Sequence, residues 1–373
     1  MKRLVLAGAG HAHVQVLQAF ARKPIPDLEI CLLSPEPLAP YSGMVPGWLS
    51  GRYRHEEIAI DVRALAQASG ARWQATSVAT LDPDARSLQD TQGQSLEYDL
   101  LSLNVGSTVS APDCTRATVL PLRPLATLRT RYESLLARFS AAPAGTPAQL
   151  IAVGGGAAGF EALLNTLARL RTLRPDRVIS ARLITRQGLL LQGYPQVTRK
   201  AAQRALERAG VTICEGEGWD PALDQVDHIL LWATGAEAQP WQRNAAQRGT
   251  LAVDAQGFIR INAHLQSVSH PTVFAVGDCA SWASHPLPKA GVHAVRMGPV
   301  LAENLRRSLQ DYGPSTRLRI HHPQAQALAL LATGDGRAIA SRGPFCAEGV
   351  WAWRWKDWID RGFVGRFQSD RKR

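Results

Sequence analysis

The sequence predicts an α/β protein with two domains built on parallel sheets, and three observations carry this prediction. The apolar run of residues 4–7 is typical of a buried parallel strand and leads directly into Gly8-Ala9-Gly10. A second apolar run, residues 150–153, leads into Gly154-Gly155-Gly156-Ala157-Ala158-Gly159. An apolar helical pattern follows each glycine turn, so the chain contains the unit of strand, turn and helix twice.

This unit is the one that binds dinucleotides. Its glycines allow a tight turn and let backbone N–H groups approach a pyrophosphate, whose charge the helix N-terminus stabilises. The second unit has all three glycines of the G-x-G-x-x-G pattern, whereas His13 occupies the third position in the first unit. We therefore expect two Rossmann-like dinucleotide-binding domains, with looser packing of helix against strand at His13.

Composition limits the partners of the chain. The 373 residues suffice for two or three domains, and a net charge of +11 favours anionic ligands. No basic block is present inside the chain, which argues against nucleic acid, and no apolar run is long enough to span a membrane. We predict no metal site, because the histidines lack metal-ligand spacing.

The cysteines are five in number and far apart, with no C-x-x-C pair. Such a set, without an export signal, is typical of reduced thiols in the cytoplasm, and we expect all five to be buried structural residues. The dithiol that a disulfide reductase needs is therefore missing.

The first domain continues with a second strand at residues 28–33. A ribose-binding acid is expected at its end, where Ser34 and Glu36 are the candidates. The loop at 40–48 carries two aromatic residues between glycines and prolines, and is either a surface turn or a loop lying on a flat ring. A helix and strand are predicted within 60–81, a hairpin at 88–97, and a buried strand at 98–107 that ends at Gly106.

The second domain begins after a proline-containing crossover at 111–124. A helix is predicted at 124–140, then the second glycine unit, then a strand at 181–186 without a terminal acid. Arg186 at its end suits the 2′-phosphate of NADPH, or is a solvated strand end. A buried strand ends near Gly235. A later one delivers Gly277-Asp278 to the crevice where α/β sheets bind ligands, before a helix starting near residue 288.

These segments define the predicted domain limits. They are the first part of one dinucleotide-binding domain at 1–115, a second dinucleotide-binding domain at 116–245, the second part of the first domain at 246–320, and a C-terminal segment at 321–373.

Taken together, these motifs resemble the two-dinucleotide-binding-domain flavoprotein reductases of the pyridine nucleotide–disulfide oxidoreductase superfamily. Within that superfamily the chain is most similar to type II NADH dehydrogenases and to the flavoprotein domain fused to selenide, water dikinase. The residues that carry the resemblance are Gly8 to Val14, Pro40 to Met44, Gly154 to Glu161, Ala233-Thr234-Gly235, Val276-Gly277-Asp278 and Pro288 to Val292.

The resemblance implies FAD on the first domain and NADH or NADPH on the second. It places Gly8 and Gly10 at the FAD pyrophosphate, Asp278 at the ribityl chain, and residues 40–44 and 289–292 beside the isoalloxazine. The candidate cofactor-binding residues are Gly8, Gly10, His11, Ser34, Glu36, Ser42, Gly43, Met44, Gly106, Gly277, Asp278, Lys289, Ala290, Gly291 and Val292 in the first domain, and Gly154, Gly156, Gly159, Arg186 and Gly235 in the second.

Glu161 is the one candidate catalytic residue. It matches the family's glutamate near the nicotinamide and flavin, or it is a first-turn carboxylate favoured by the helix dipole.

The acceptor of the electrons stays open between a quinone, a selenium or sulfur compound, and an electron-carrier protein. Where type II NADH dehydrogenases carry glutamines near the quinone, this chain has Gly291 and Arg296-Met297. A sulfide:quinone oxidoreductase needs cysteines at the flavin, for which Cys114, Cys279 and Cys346 are the candidates. A flavin or nucleotide sensor without turnover is the alternative from another class.

The C-terminal segment is predicted to contain a hairpin at 328–339 turning at Gly334-Asp335-Gly336, and then an amphipathic helix at 351–367. On that helix Trp351, Trp355, Trp358, Ile359 and Phe363 share one face, and the charged residues lie mainly elsewhere. An aromatic face flanked by basic residues suits an anionic membrane surface, and the resemblance to type II NADH dehydrogenases favours the same role. The alternative is packing against the first domain or a homodimer partner. We expect a cytoplasmic protein, peripheral on the cytoplasmic face of the membrane.

Overall fold

The structure is a computed structural model that describes residues 1–186, 188–282, 284, 287–310, 317–324 and 326–368. The strands are, in chain order, β1 Lys2–Ala7, β2 Leu28–Leu33, β3 Leu38–Pro40, β4 Ala59–Asp61, β5 Ala71–Gln74, β6 Val78–Asp82, β7 Ser87–Asp90, β8 Ser95–Glu97, β9 Leu100–Leu103, β10 Thr118–Pro121, β11 Ala148–Val153, β12 Ile179–Thr185, β13 Val211–Glu215, β14 His228–Trp232, β15 Ile259–Arg260, β16 Val273–Ala275, β17 Ala280–Ser281, β18 Ala329–Ala332, β19 Ala338–Arg342 and β20 Phe345–Gly349.

Eleven α-helices are defined in this part of the chain. They are α1 His11–Arg22, α2 Val45–Leu49, α3 His55–Ile58, α4 Val62–Ala68, α5 Leu125–Ala141, α6 Ala157–Leu173, α7 Gln196–Arg208, α8 Pro240–Arg243, α9 Ala245–Arg248, α10 Gly291–Gln310 and α11 Val350–Gly365.

The first large sheet has five parallel strands in the order β16-β9-β1-β2-β5. Its central strand β1 lies between β2 and β9, with Leu4 opposite both Ile30 and Leu100. The last four residues of β1 are fully buried, as expected for a parallel strand covered on both faces. The carboxyl ends of β1, β9 and β16 therefore meet at one edge, where the first glycine turn and Gly277-Asp278 lie.

The second large sheet is also parallel and five-stranded, in the order β10-β14-β11-β12-β13. The α/β class and the two Rossmann-like units are thus confirmed. Two strands of this sheet, β13 and β10, were not predicted. Strand β10 lies inside the segment expected to be only a crossover. It is a short edge strand of four residues that ends in a proline, and such strands carry little periodic signal.

The smaller sheets are antiparallel. Strands β6, β7 and β8 form one, which contains the predicted hairpin at 88–97. Strands β18, β19 and β20 form another, in which the predicted turn at Gly334-Asp335-Gly336 connects the first two strands. The sequence analysis missed β20, whose pairing with β19 extends the predicted hairpin to three strands.

Helix α11 follows β20 directly and confirms the predicted C-terminal helix. Packing of the aromatic face against the protein was one of the two alternatives, and most of that face is not buried here. Of the predicted aromatic face only Phe363 is buried, whereas Trp351, Trp355 and Trp358 are 52%, 39% and 73% exposed. The inward positions are occupied by Ala352, Lys356, Asp360, Phe363 and Val364, so two charged residues lie inside. Lys356 and Asp360 form an ion pair four residues apart, which lowers the cost of burying both charges.

The cysteines are all free thiols, as expected, but not all of them are buried. Cys31, Cys214 and Cys279 are buried, whereas Cys114 and Cys346 are partly exposed, which corrects the expectation for these two. In the part of the chain that the structure describes, no helix has the length and apolar character needed to cross a bilayer.

Candidate nucleotide-binding site and its surroundings

Asn104, immediately after β9, connects the first glycine turn to the strand end at Val276. Its side-chain Oδ1 accepts hydrogen bonds from the backbone N–H groups of Ala12 (3.1 Å) and His13 (3.4 Å) at the start of α1. Its Nδ2 donates to the carbonyl of Val276 (3.0 Å). The side chain is buried and all of these bonds are local to the sheet edge, so Asn104 fixes the geometry of the turn.

The glycines of the first turn are required by this packing. Gly8 adopts a positive φ of 87°, and a Cβ there would lie 2.4 Å from the carbonyl oxygen of Asn104. A Cβ on Gly10 would lie 2.3 Å from Asn104 Oδ1. His13 fills the third glycine position without a clash, because its ring is buried and bonds the Gly8 carbonyl (2.6 Å) and Ser102 Oγ (2.8 Å). Burial lowers the pKa of His13 to about 4, so this ring is neutral.

His11, Ser42 and Gly291 bring three elements together beside this turn. The backbone N–H of Ser42 donates to His11 Nε2 (3.2 Å), and Ser42 Oγ lies 2.8 Å from the same nitrogen. A Cβ on Gly291 would lie 2.3 Å from Ser42 Oγ, so the start of α10 packs tightly against the 40–44 loop. Burial lowers the pKa of His11 to about 4, although the charge of Asp278 opposes this shift. His11 is therefore neutral and accepts through Nε2.

Asp278 lies next to the same turn and is paired with a residue of the distant crossover. The Arg123 guanidinium donates through Nη1 to Asp278 Oδ2 and to Ser107 Oγ, and through Nη2 to the carbonyl of Lys289 (3.1 Å). Ser107 Oγ lies 3.2 Å from Asp278 Oδ2. Both charged side chains are mostly buried, with 26% and 16% of their surface exposed. These contacts of Asp278 are all made through Oδ2.

Lys289 points away from solvent. Its Nζ donates to the carbonyl of Ala280 (2.6 Å) and lies 3.7 Å from the centre of the Phe258 ring. Burial lowers the pKa of Lys289. Its neighbours Ala290 and Val292 are partly exposed at the start of α10. A pocket of about 150 Å³ opens beside Gly277, Asp278, Lys289 and His293.

The remaining first-domain candidates are more scattered. Ser34 is buried and its hydroxyl already donates to the carbonyl of Glu36 (3.0 Å), whose own side chain is exposed. Met44 is buried beneath the 40–44 loop, and Gly106 follows β9 in a turn with positive φ. The structure therefore brings Gly8, Gly10, His11, Ser42 and Gly291 together, while Ser34 and Glu36 lie at the end of β2.

The second glycine turn has the same construction. A Cβ on Gly154 would lie 2.3 Å from the carbonyl oxygen of Ala233, and one on Gly159 would lie 2.0 Å from that of Gly154. Gly156, in contrast, has no atom within 4 Å of its Cβ position, and it precedes α6 without a side-chain cap hydrogen bond. Gly235 is equally open, and Arg186 is exposed just after β12, near Gly218.

Glu161, in the first turns of α6, links the second domain to the C-terminal segment. Its Oε1 accepts the backbone N–H of Ala332 in β18 (2.8 Å). Burial raises the pKa of Glu161 to about 7, although the charge of Lys356 and the Ala332 N–H oppose this shift. Glu161 therefore changes its protonation state near neutral pH, as a group that transfers protons requires.

Lys356 connects this carboxylate to the 40–44 loop. Its Nζ donates to the carbonyl of Gly43 (2.6 Å) and to Asp360 Oδ2 (2.9 Å). Burial alone lowers the pKa of Lys356, but the carboxylates of Asp360 and Glu161 raise it above its ordinary value. The ammonium group is therefore charged, and it is held directly against the loop that was expected to border the isoalloxazine.

Comparison with known proteins agrees with this geometry. Residues 2–298 match the family described as pyridine nucleotide-disulphide oxidoreductase. The chain belongs to this family. Human ferroptosis suppressor protein 1 is 27% identical over 188 residues, which are 44% of this chain and 48% of that protein, so the match spans about half of the curated relative.

Several solved structures have a fold similar to that of this chain. The sulfide:quinone oxidoreductase of Aquifex aeolicus has a TM-score of 0.76 at 16% identity, covering 99% of this chain and 92% of that one. NDH2 from Plasmodium falciparum, in complex with NADH, has a TM-score of 0.74 at 12% identity, with 98% of both chains covered. Putidaredoxin reductase, in a covalent complex with putidaredoxin, has a TM-score of 0.70 at 19% identity over 92% of this chain and 81% of that one.

As a family member the chain is an oxidoreductase. Its residues fit the two nucleotides expected from the sequence, FAD and NAD(P)H. The two turns leave no room for a side chain at Gly8, Gly10, Gly154 or Gly159, as close approach of a backbone to a pyrophosphate requires. The start of α6 has no side-chain cap hydrogen bond, which suits an anion at the helix N-terminus, and Asp278 is partly exposed beside the first turn.

The sequence did not identify four residues of this site as functional candidates, namely Asn104, Arg123, Lys356 and Asp360. Asn104 had a usable signal, since a polar residue directly after a buried parallel strand lies at the ligand-binding edge of the sheet. The other three act through contacts with residues more than 150 positions away or on an apparent surface helix, and no local pattern marks them.

Proposed function

We propose that this oxidoreductase passes the two electrons of NAD(P)H through FAD to a quinone at a membrane surface. The observation that carries the proposal is the contact of Lys356 with the carbonyl of Gly43, because it places the C-terminal helix against the expected isoalloxazine loop. The candidate cofactor residues and the domain limits given above are part of this proposal. FAD, when bound, supplies the two-electron relay between nicotinamide and acceptor.

The cysteines are poorly suited to a redox relay, which supports direct electron transfer from the flavin to a small acceptor. Cys279 is the cysteine next to the Gly277-Asp278 turn, and its buried thiol lies 3.4 Å from the carbonyl of Leu103 and 3.3 Å from that of Val276. Burial raises the pKa of Cys279 to about 11, which disfavours the reactive thiolate. A redox relay through a cysteine pair is therefore not part of the proposal.

Glu161 and Lys356 supply the proton chemistry. The reaction NAD(P)H + H⁺ + quinone → NAD(P)⁺ + quinol needs one proton beyond the transferred hydride. Glu161, with its pKa of about 7, holds such a proton and exchanges it near neutral pH. The charged Lys356 stabilises negative charge that develops near the Gly43 loop, and Asp360 holds the ammonium group in place.

Membrane association is proposed for the exposed tryptophans of α11. Trp351 and Trp355 stack with ring centres 6.3 Å apart, and Trp358 is 73% exposed. Tryptophan side chains of this kind lie at the boundary between headgroups and acyl chains.

The structural relative from Aquifex aeolicus carries quinone in its name, which supports the choice of acceptor. A cytoplasmic location and a homodimer stay predictions.

The test is rapid mixing of the NAD(P)H-reduced holoprotein, without oxygen, with a panel of acceptors. We expect a short-chain quinone to restore the oxidised flavin spectrum fastest, and Lys356→Met to slow that step more than it slows reduction by NAD(P)H. An exposed arginine of the second domain provides the control variant, Arg204→Gln. Faster reoxidation by a sulfur or selenium compound, or by an electron-carrier protein, would contradict the quinone proposal.

A further inference from the structure

A groove of about 450 Å³ lies between α1, α10 and the residues that follow α11, away from the nucleotide turns. Four of its lining residues are basic, namely Arg22, Lys23, Arg306 and Arg366, and Glu303 is its acidic one. Glu303 is already paired with Arg307 and with Arg319, whose Nη1 lies 3.0 Å away. The groove therefore has a marked excess of positive charge.

Arg306 is held in place in the wall of this groove. Its Nη2 donates to the carbonyl of Lys23 (2.5 Å), and its guanidinium carbon lies 4.9 Å from the centre of the Phe20 ring. Its Nη1 is buried and has no hydrogen-bond partner among the described residues. The contacts with Lys23 and Phe20 fix the guanidinium, whose charge adds to the positive charge of the groove.

The shape of the groove follows from the packing of α1 on α10. Pro299 has no N–H to give the carbonyl of Val295, and Gln15 Nε2 donates to that carbonyl instead (2.8 Å). Gly298 allows this approach, since a Cβ there would lie 2.3 Å from Gln15 Nε2. The two helices are thereby held together at one end of the groove, and Phe367 gives it an apolar wall beside the arginines.

We propose that this groove binds the phosphate headgroup of an anionic phospholipid. The inference rests on the proposed membrane association and gives it a specific site. Arg366 follows the end of α11, eight residues after the exposed Trp358, which corresponds to about 12 Å along a helix. The basic groove and the tryptophans are thus close enough to meet one membrane interface, where tryptophan lies at headgroup depth. The apolar wall at Phe367 suits a lipid better than a free phosphate.

The experiment is sedimentation of the FAD-loaded full chain with vesicles of phosphatidylcholine, alone or mixed equally with phosphatidylglycerol. Arg22→Gln/Arg366→Gln removes two exposed charges from the groove, and Arg131→Gln/Arg204→Gln removes two exposed charges from helices of the second domain. We expect the groove variant to bind the anionic vesicles roughly tenfold more weakly, and the control variant to change binding less than about twofold. Arg306→Gln tests the third arginine of the groove in the same way.

Three results would overturn the inference. Equal weakening by both double variants would mean that bulk charge alone attracts the protein. Protection of the wild type, but not the groove variant, from thermal unfolding by inorganic pyrophosphate, without vesicle binding, would assign the groove to a soluble phosphate. Unchanged vesicle binding in the groove variants would exclude the site. Reduction of the flavin by NAD(P)H, measured on the same samples, shows separately whether the proposed oxidoreductase function holds.

Discussion

The guanidinium of Arg123 is paired with the carboxylate of Asp278, across 155 positions of sequence. Arg123 lies between β10 of the second sheet and α5, whereas Asp278 follows β16 of the first sheet. The pair therefore connects the two nucleotide-binding units at the point where the ribityl chain of FAD is expected. The same guanidinium holds the carbonyl of Lys289, at the start of the segment that leads into α10.

Replacing this arginine is expected to weaken FAD binding. In Arg123→Gln the carboxylate of Asp278 loses its counter-ion and is less well oriented, so we expect the dissociation constant of FAD to rise about tenfold, equivalent to about 1.4 kcal/mol. Fluorescence titration of the apoprotein with FAD measures this. Arg116→Gln, an exposed arginine of the same crossover, is the control. An unchanged dissociation constant would show that Asp278 is not held for FAD.

The ion pair inside α11 predicts a large effect on stability. In Asp360→Asn the buried ammonium group of Lys356 loses its partner, and we expect the free energy of unfolding in urea to fall by about 3 kcal/mol. The double variant Lys356→Met/Asp360→Leu is expected to recover most of this loss, because both charges are removed together. Glu133→Gln breaks an exposed pair of the same spacing on α5 and is expected to cost less than about 0.5 kcal/mol. Equal effects of Asp360→Asn and Glu133→Gln would show that the Lys356 pair is not buried.

The pKa of Glu161 predicts a pH-dependent difference between the wild type and Glu161→Gln. This pKa rises from 4.5 to about 7 on folding, so the folded state binds the proton more tightly. The carboxylate therefore contributes its full stability below about pH 4.5, and this contribution is lost as the pH rises towards 7. The variant keeps an oxygen for the Ala332 N–H but has no charge to bury.

We expect Glu161→Gln to match the wild type in urea unfolding at pH 5 and to exceed it at pH 8 by on the order of 2 kcal/mol. The comparison at pH 5 is the internal control. An equal difference in the free energy of unfolding at pH 5 and pH 8 would mean that Glu161 is ionised at both. That result would exclude a role for Glu161 in holding a proton.

Arg186 predicts a preference for NADPH. It is exposed directly after β12, at the strand end where NADH-binding units usually carry an acid. A charge-assisted hydrogen bond to the 2′-phosphate contributes about 1.5–3 kcal/mol. Arg186→Gln should therefore lower kcat/KM for NADPH at least about tenfold relative to NADH, with Arg204→Gln as the control. Steady-state rates with both nucleotides decide this, and a constant ratio would identify Arg186 as a solvated strand end.

The parts that the sequence predicted are those encoded locally. Both glycine turns, the Gly277-Asp278 turn and the central strands follow from short motifs whose backbone geometry allows few alternatives. The short edge strand β10 and the third strand β20 were missed because their pairing depends on partners elsewhere in the chain. Strand pairing of this kind is decided by tertiary context, which no local window contains.

The buried charges could not be predicted for a related reason. Helical spacing identified the C-terminal helix and its aromatic face, but it gave no reason to expect Lys356 inside, because an isolated charge is rarely buried. Burial of Lys356 becomes favourable only with Asp360 on the next turn and the carbonyl of Gly43, 313 residues earlier in the chain. The sequence could show the first of these partners but not the second.

Anaerobic mixing of the FAD-loaded protein with NADPH, and separately with NADH, tests the central claim most directly. The account predicts that the flavin absorbance band bleaches rapidly with at least one of the two nucleotides, and faster with NADPH. Protein that retains FAD but keeps its oxidised spectrum with excess of both nucleotides would contradict the account and identify a flavin-binding protein without NAD(P)H oxidoreductase activity.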